Sequence, residues 1–422
     1  MSAKSLLTRR QQAMGSAYRL FYDEPVHLVR GEGARLFDAG GRRYLDMYNN
    51  VPHVGHCHPR VVDAICEQAR TLNSHTRYLH DNVVRLAERL TAKMPAPLDT
   101  AMFCCTGSEA NELALRIARR VTGGTGIIVV DCSYHGNTQA TYEISTDTVP
   151  ADEVPTWVAT VPAPDVYRGV HREDDAAERY ASHVTDAIRT LAGRSVRPAA
   201  FVIDTIVSSS GVVAPPPGYL RKVAEIVRDA GMLFIADEVQ PGFGRTGRHF
   251  WGFEAEDFVP DIVTMGKPMG NGHPLSAVVA RRGLVDAFAE RDHYFNTFGG
   301  NPVSCAAGLA VLDVMEEEGL QQNALDVGAH LVDGLWRLAE VHECIGDVRG
   351  TGLFLAVELV KNREARTPAT KLAAVVVNGL RERGVLTGSI GPANNILKLR
   401  SPLVLSKDDA DYFLGTLGEV LP

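Results

Sequence analysis

Short apolar runs alternate with longer amphipathic stretches through the middle of this chain. Runs at 101–104, 126–131, 199–204, 232–237 and 261–265 are rich in aliphatic and β-branched residues and bounded by glycine or a lone charge. Their length and composition predict buried strands. Between them, 108–121 and 218–230 carry apolar residues at helical spacing. Strand and helix in alternation predict an α/β protein with a mainly parallel sheet. Ahead of this block, 26–48 reads as hairpin-like strands about Gly40 and Gly41, followed by helices over 60–71 and 81–93. A long helix leads out from Asn301. Beyond about Gln321 the order is helix, strand pair, helix, strand, helix. The expected division is an arm with small-domain strands over 1–60, a large domain over 61–320 and a small α+β domain over 321–422.

Bulk properties narrow the class. The 422 residues are 45% hydrophobic and 22% charged, ordinary for a globular protein. A net charge of -8 argues against nucleic acid or an anionic membrane surface as main partner. No apolar run approaches the roughly 18 residues of a membrane span. The basic N-terminus lacks a continuous apolar core of the signal-peptide kind, so it is expected to be an arm packing on a partner subunit. Seven cysteines without a C-x-x-C pair suggest reduced thiols in a cytoplasmic protein. His53, His56, Cys57 and His58 crowd together, but no second ligand cluster accompanies them. A turn before the helix near Pro59 is the preferred reading, and no metal is expected.

The chemistry lies at the strand ends. Asp237 and Lys267 close two apolar strands, and in parallel sheets ligands bind outside the carboxyl ends of strands. A carboxylate facing a pyridinium nitrogen and a lysine forming a Schiff base are what pyridoxal phosphate (PLP) needs. Buried acid is costly without a partner, which that nitrogen would supply; a cap or structural ion pair is the plainer alternative. Gln240, three residues on, is placed to bond the ring hydroxyl. Gly107 and Ser108 open a helix whose free N–H groups suit an anion, although serine also caps helices without any ligand. Tyr134 follows another strand, where an aromatic ring stacks on a planar cofactor or simply packs. The G-x-G-x-x-G at 242–247 leads into the aromatic RHFWGF and not a helix, so a dinucleotide fingerprint is rejected.

Taken in order, TGSEAN (106–111), YHG (134–136), ADEVQPGFGRTG (236–247), TMGKPMGNG (264–272) and NTFGGNP (296–302) resemble the class-III aminotransferases over nearly the whole chain. These are fold-type-I PLP enzymes, with a seven-stranded, mainly parallel sheet and homodimers that share active sites, in some cases as dimers of dimers. The resemblance implies that Lys267 forms the Schiff base, Asp237 pairs with the pyridine nitrogen, and Gly107 and Ser108 hold the phosphate. Tyr134 or His135 would stack on the ring, and Thr297 would reach the neighbouring subunit's phosphate. Asp204, among the expected cofactor residues, stands where the family commonly has glutamate.

Within the family, NNVPHVGHCHP (49–59), TRYLHDN (76–82), EDFVPDIVTMGKPMGNGHP (256–274), IGDVRGTGLF (345–354) and RTPAT (366–370) are most similar to the phospho-lyases of ethanolamine phosphate and phosphohydroxylysine. TGSIGPANNILKLRSP (387–402) departs from that branch, lacking its acidic and basic residues, with Ser401 in place of a proline. Arg77, Lys398 and Arg400 are the expected anchors for an anionic group, against the alternative of solvated surface charges. The expected activity is Cα deprotonation of a small anionic primary amine, with elimination of phosphate and ammonia favoured. Transamination to a 2-oxo acid is the alternative, with a specialised biosynthetic role next. A non-catalytic PLP-binding homologue is the reading that intact Lys267 and Asp237 least favour.

Overall fold

The structure, a computed structural model, describes residues 3–422; residues 1 and 2 of the expected arm lie outside them. The main sheet has seven strands. Across it they run Leu98–Cys104, Ser276–Arg281, Ile262–Met265, Leu233–Asp237, Pro198–Asp204, Gly126–Val130 and Val158–Val161. Ser276–Arg281 is antiparallel to both neighbours, and the remaining pairs are parallel. Five strands follow the apolar runs. The four-residue edge strand Val158–Val161 and the reversed strand Ser276–Arg281 are not anticipated by the pattern.

Alternate residues of a strand face opposite ways. Ile127, Val129, Val202 and Ile235 pack with Leu113 and Ile117 of the helix Gly107–Thr122. Ile128, Val130, Phe201 and Phe234 face the other core, with Val184 of Ala176–Gly193 and Val223 of Tyr219–Asp229. Both faces are covered, which is why these strands are apolar throughout instead of alternating.

The helix Gly107–Thr122 starts at a capping box. The Thr106 hydroxyl accepts from Glu109 N at 3.2 Å, and the Glu109 carboxylate accepts from Thr106 N at 3.0 Å. Gly123, left-handed at φ 68°, ends it. Thr106 is therefore the cap, which corrects the alternative that Ser108 serves that purpose. Pro302–Glu317 begins at the Asn301 cap and packs against Pro59–Thr71 and Asp81–Ala92.

Two smaller sheets complete the chain. Leu28–Glu32, Arg35–Asp38 and Arg43–Asp46 form an antiparallel set that Val385–Leu386 joins in parallel, so the early strands share a sheet with the C-terminal region. The other is antiparallel: Ile345–Thr351, Phe354–Asn362, Ile396–Leu399 and Gly388–Ile390, with Lys398 on its third strand. No helix among the described residues is long and apolar enough to cross a membrane.

Candidate active site

Pro198–Asp204, Leu233–Asp237 and Ile262–Met265 run parallel and end together. Asp204 is the register partner of Asp237, and Asp237 of Thr264. This brings Asp204, Asp237 and, two residues past a strand end, Lys267 to one edge. A cavity of about 260 Å³ opens there, lined among others by Gly107, Ser108, Asn111, Tyr134, Val239, Gln240 and these three.

Asp237 is 4% exposed and well supplied with donors. Its Oδ2 accepts from Asn111 Nδ2 and His135 Nδ1, each at 2.8 Å, and its Oδ1 accepts from Val239 N at 3.1 Å. Asn111 is itself fixed, donating to His135 O at 2.7 Å and accepting from Thr264 Oγ1 at 2.6 Å. The His135 bond places its proton on Nδ1 and commits the buried ring to the carboxylate. His135 therefore supports Asp237, while Tyr134, 38% exposed, lines the same cavity. Asn111 is absent from the expected site. It lies four residues after Gly107, on the same helix face, inside the TGSEAN motif.

Lys267 sits in a turn deep in the molecule, its side chain still partly open to the cavity. Burial, then the nearby Arg400 charge, push its amine down to about 8, while Asp237 and Asp204 pull the other way. Gly107 fits only as glycine, since a Cβ there would lie 2.8 Å from Val239 Cγ1. Ser108, freed from capping, accepts from Asn137 N at 3.1 Å beside the helix N-terminus. Gly136 has φ 149°, and a Cβ there would lie 2.7 Å from Ser108 Oγ.

Asp204 accepts from Ile206 N and Ser208 N, each at 3.1 Å. Burial, then Asp237, raise its carboxyl above the ordinary range. Gln240 donates to Ser208 Oγ at 2.7 Å, while its Oε1 accepts from Lys398 Nζ at 3.3 Å and from Arg400 Nη1. Lys398 and Arg400 are 3% and 7% exposed, which rules out solvated surface charges at both positions. Neither lines the cavity; both reach its lining through Gln240 Oε1. Burial, then Arg400, hold the Lys398 amine well below its usual range. Tyr48 lies under the Arg400 guanidinium, 4.5 Å from ring centroid to carbon.

Arg77 and Thr297 are not brought into this cavity. Arg77 is exposed and rests on Phe295 at 4.0 Å; Thr297 is exposed. The crowded histidines diverge. His53 bonds Phe243 O and Arg245, His56 bonds Asp46, and His58 bonds Glu318. No cluster of three or more metal-capable side chains occurs among the described residues.

A lysine of depressed pKa, an acid fixed by three donors, a helix N-terminus stripped of side-chain bulk and an aromatic wall share one cavity. That donor set fits PLP, and with the seven-stranded sheet it defines a fold-type-I PLP-dependent enzyme. The family model described as aminotransferase class-III matches residues 21–421, and the chain belongs to that family. It is 45% identical over 432 residues to a Drosophila melanogaster protein called alanine–glyoxylate aminotransferase 2-like, covering 100% of this chain and 87% of that one. It is 41% identical to ethanolamine-phosphate phospho-lyase homolog 1 of Caenorhabditis elegans, covering 100% of this chain and 94% of the relative. A solved phospholyase from Arthrobacter, in complex with phosphoethanolamine, superposes with TM-score 0.95 at 45% identity, covering 99% of this chain and 100% of that one.

Proposed function

We propose that this enzyme takes a small primary amine bearing a phosphate ester and eliminates phosphate, and that water hydrolyses the resulting enamine to ammonia and a carbonyl product. The observation that carries this reading is the pair Lys398 and Arg400. Two buried basic side chains share one neutral acceptor, Gln240 Oε1, and neither is ion-paired with a carboxylate among the described residues. Arg400 Nε is buried without a partner. Buried charge without a counter-ion is costly, and an anionic substrate group at the Gln240 edge would offset that cost. The phosphoethanolamine complex of the Arthrobacter neighbour supports the same substrate class.

PLP, when bound, supplies an electron sink for the pair released at Cα. Lys267 Nζ takes the Cα proton, which its lowered pKa suits it to accept near neutral pH. Asp237, oriented by Asn111 and His135, would hold the proton on the ring nitrogen. Gly107 and Ser108 would hold the cofactor phosphate, and Tyr134 would face the ring. Lys398 and Arg400 seat the substrate phosphate, which leaves with the electron pair of its C–O bond. Gln240 and Asp204 keep that edge polar.

The chain is proposed to act as a homodimer. Thr297 and Arg77 do not reach their own cavity, and Leu79 and Phe298 beside them are 99% and 68% exposed. A cytoplasmic location belongs to the same proposal, supported by seven unpaired cysteines.

Relatives named as aminotransferases favour the second reading, transfer of the amine to a 2-oxo acid. The test is incubation of the PLP-loaded enzyme with O-phosphoethanolamine and no keto acid. Stoichiometric phosphate and ammonia support elimination; turnover that strictly requires a keto acid refutes it.

A further inference from the structure

Three segments outside the cofactor cavity, 345–354, 366–370 and 387–402, meet in one place. Glu358, 1% exposed, is its centre. It lies on Phe354–Asn362 opposite Ile396, two residues before Lys398 on the adjoining strand. Arg349 Nη1 donates to Glu358 Oε2 and to Asp347 Oδ2, each at 2.8 Å. Arg168, from the loop after Val158–Val161, donates Nε to Glu358 Oε1 at 2.8 Å. Arg168 also binds Arg366 O, and Arg366 returns the contact to Tyr167 O. Thr370 Oγ1 donates to Ala393 O at 2.6 Å, and Asn395 Nδ2 to Leu359 O at 2.7 Å.

This cluster ties the main sheet to the strand carrying Lys398. Arg349 Nε donates to Gly211 O at 2.9 Å. Gly211 has φ 133°, and a Cβ there would lie 2.6 Å from Ile396 Cδ1 and 2.8 Å from Arg349 Nη2, so the close approach needs glycine. Three residues earlier, Ser208 holds both Asp204 and Gln240. Arg349 thus links the loop that fixes Gln240 to the sheet that brings Lys398 and Arg400 to it. Burial by itself would raise the Glu358 carboxyl, but Arg349 and Arg168 hold it below the ordinary range, ionised and bound to both.

We propose that Arg168, Arg349 and Glu358 form a clasp that sets the position of the Lys398 and Arg400 strand against Gln240, and so sets the affinity for the substrate's anionic group. These are positioning residues and touch no substrate. The inference rests on the anion seat proposed above. Charge-assisted hydrogen bonds to an anion depend on the placement of their donors, so the clasp acts on recognition without contacting the ligand.

The test uses PLP-loaded enzyme and inorganic phosphate as probe, with binding measured by calorimetry and as inhibition of amine turnover. Arg168→Ala is expected to weaken phosphate about tenfold or more, with the PLP absorbance retained and kcat at saturating amine little changed. Arg168→Lys restores part of the affinity, and Arg366→Ala weakens it by a smaller factor. Arg60→Ala, which breaks an exposed pair with Glu317, leaves phosphate binding unchanged. Should Arg168→Ala fail to fold, Arg366→Ala and Arg168→Lys carry the same comparison. Folded variants that lower the thermal midpoint but bind phosphate like the parent overturn the clasp. If Arg400→Ala abolishes phosphate binding while all clasp variants retain it, the clasp fails and the anion seat stands. If the unaltered holoenzyme binds no phosphate, both are overturned.

Discussion

The lowered pKa of Lys267 has a direct kinetic consequence. An ordinary lysine amine, with a pKa near 10.4, is neutral in only about one molecule in a thousand at about pH 7.5. At a pKa of about 8 the neutral fraction of Lys267 is about a quarter. The gain is roughly 200-fold in the form that attacks an aldehyde. Burial is the main cause and Arg400 the second, so the effect belongs to the folded cavity. Stripped enzyme mixed with PLP across a pH series, followed at the imine absorbance near ~420 nm, should capture cofactor with a midpoint of about 8. The sign is fixed: capture rises with pH, because a cation must lose its proton to react. Arg400→Ala removes a like charge and should move the midpoint upward. A midpoint near that of free lysine, or one that Arg400→Ala leaves in place, would falsify the reasoning.

Three further outcomes are expected. Burial and then Arg400 hold the Lys398 amine well below its usual range, so a bound phosphate should draw its pKa back up; calorimetry across a pH series in buffers of different ionisation enthalpy should detect proton uptake, and zero uptake throughout the series counts against an anion seat at Lys398. Gly107→Ala drives a Cβ to 2.8 Å from Val239 Cγ1 and should weaken PLP about tenfold; adding Val239→Ala recovers part of the loss in a double-mutant cycle, and simple additivity would show that the clash is elsewhere. Trp251 is fully buried against Phe243 and Phe250 and donates to Lys93 O at 2.8 Å. Trp251→Ala should lose about 3–5 kcal/mol in urea unfolding, and a loss below about 1 kcal/mol would contradict that packing.

The cofactor residues are legible in the sequence for a physical reason. A charge that ends a buried apolar strand must have a partner, and register then brings Asp204, Asp237 and the turn of Lys267 to the same edge. Asn111 belongs with them but reads as an ordinary helix residue, because its partners Thr264 and Asp237 come from strands over a hundred positions away. Val158–Val161 escapes for a related reason, because it is short and its place is set by pairing with a distant strand; Ser276–Arg281 is an apolar run that the expected strands omit, and its reversed direction is set by pairing with distant strands.

At Lys398 and Arg400 local reading leaves two alternatives, an anion anchor and a solvated charge, and their burial removes the second. Composition assigns charged residues to solvent, yet both are buried, held by Gln240 some 160 positions earlier and, for Arg400, by Tyr48 and Met47 O. The cofactor's requirements are met by residues on a sheet whose register leaves little freedom. The proposed anion seat lies elsewhere, on and just past a strand of another sheet that Arg168, Arg349 and Glu358 tie to the main one. Cα activation is therefore common ground for elimination and transamination. On the proposed reading, small changes in the 387–402 segment or its clasp would alter which anion is seated while Lys267 and Asp237 stay as they are.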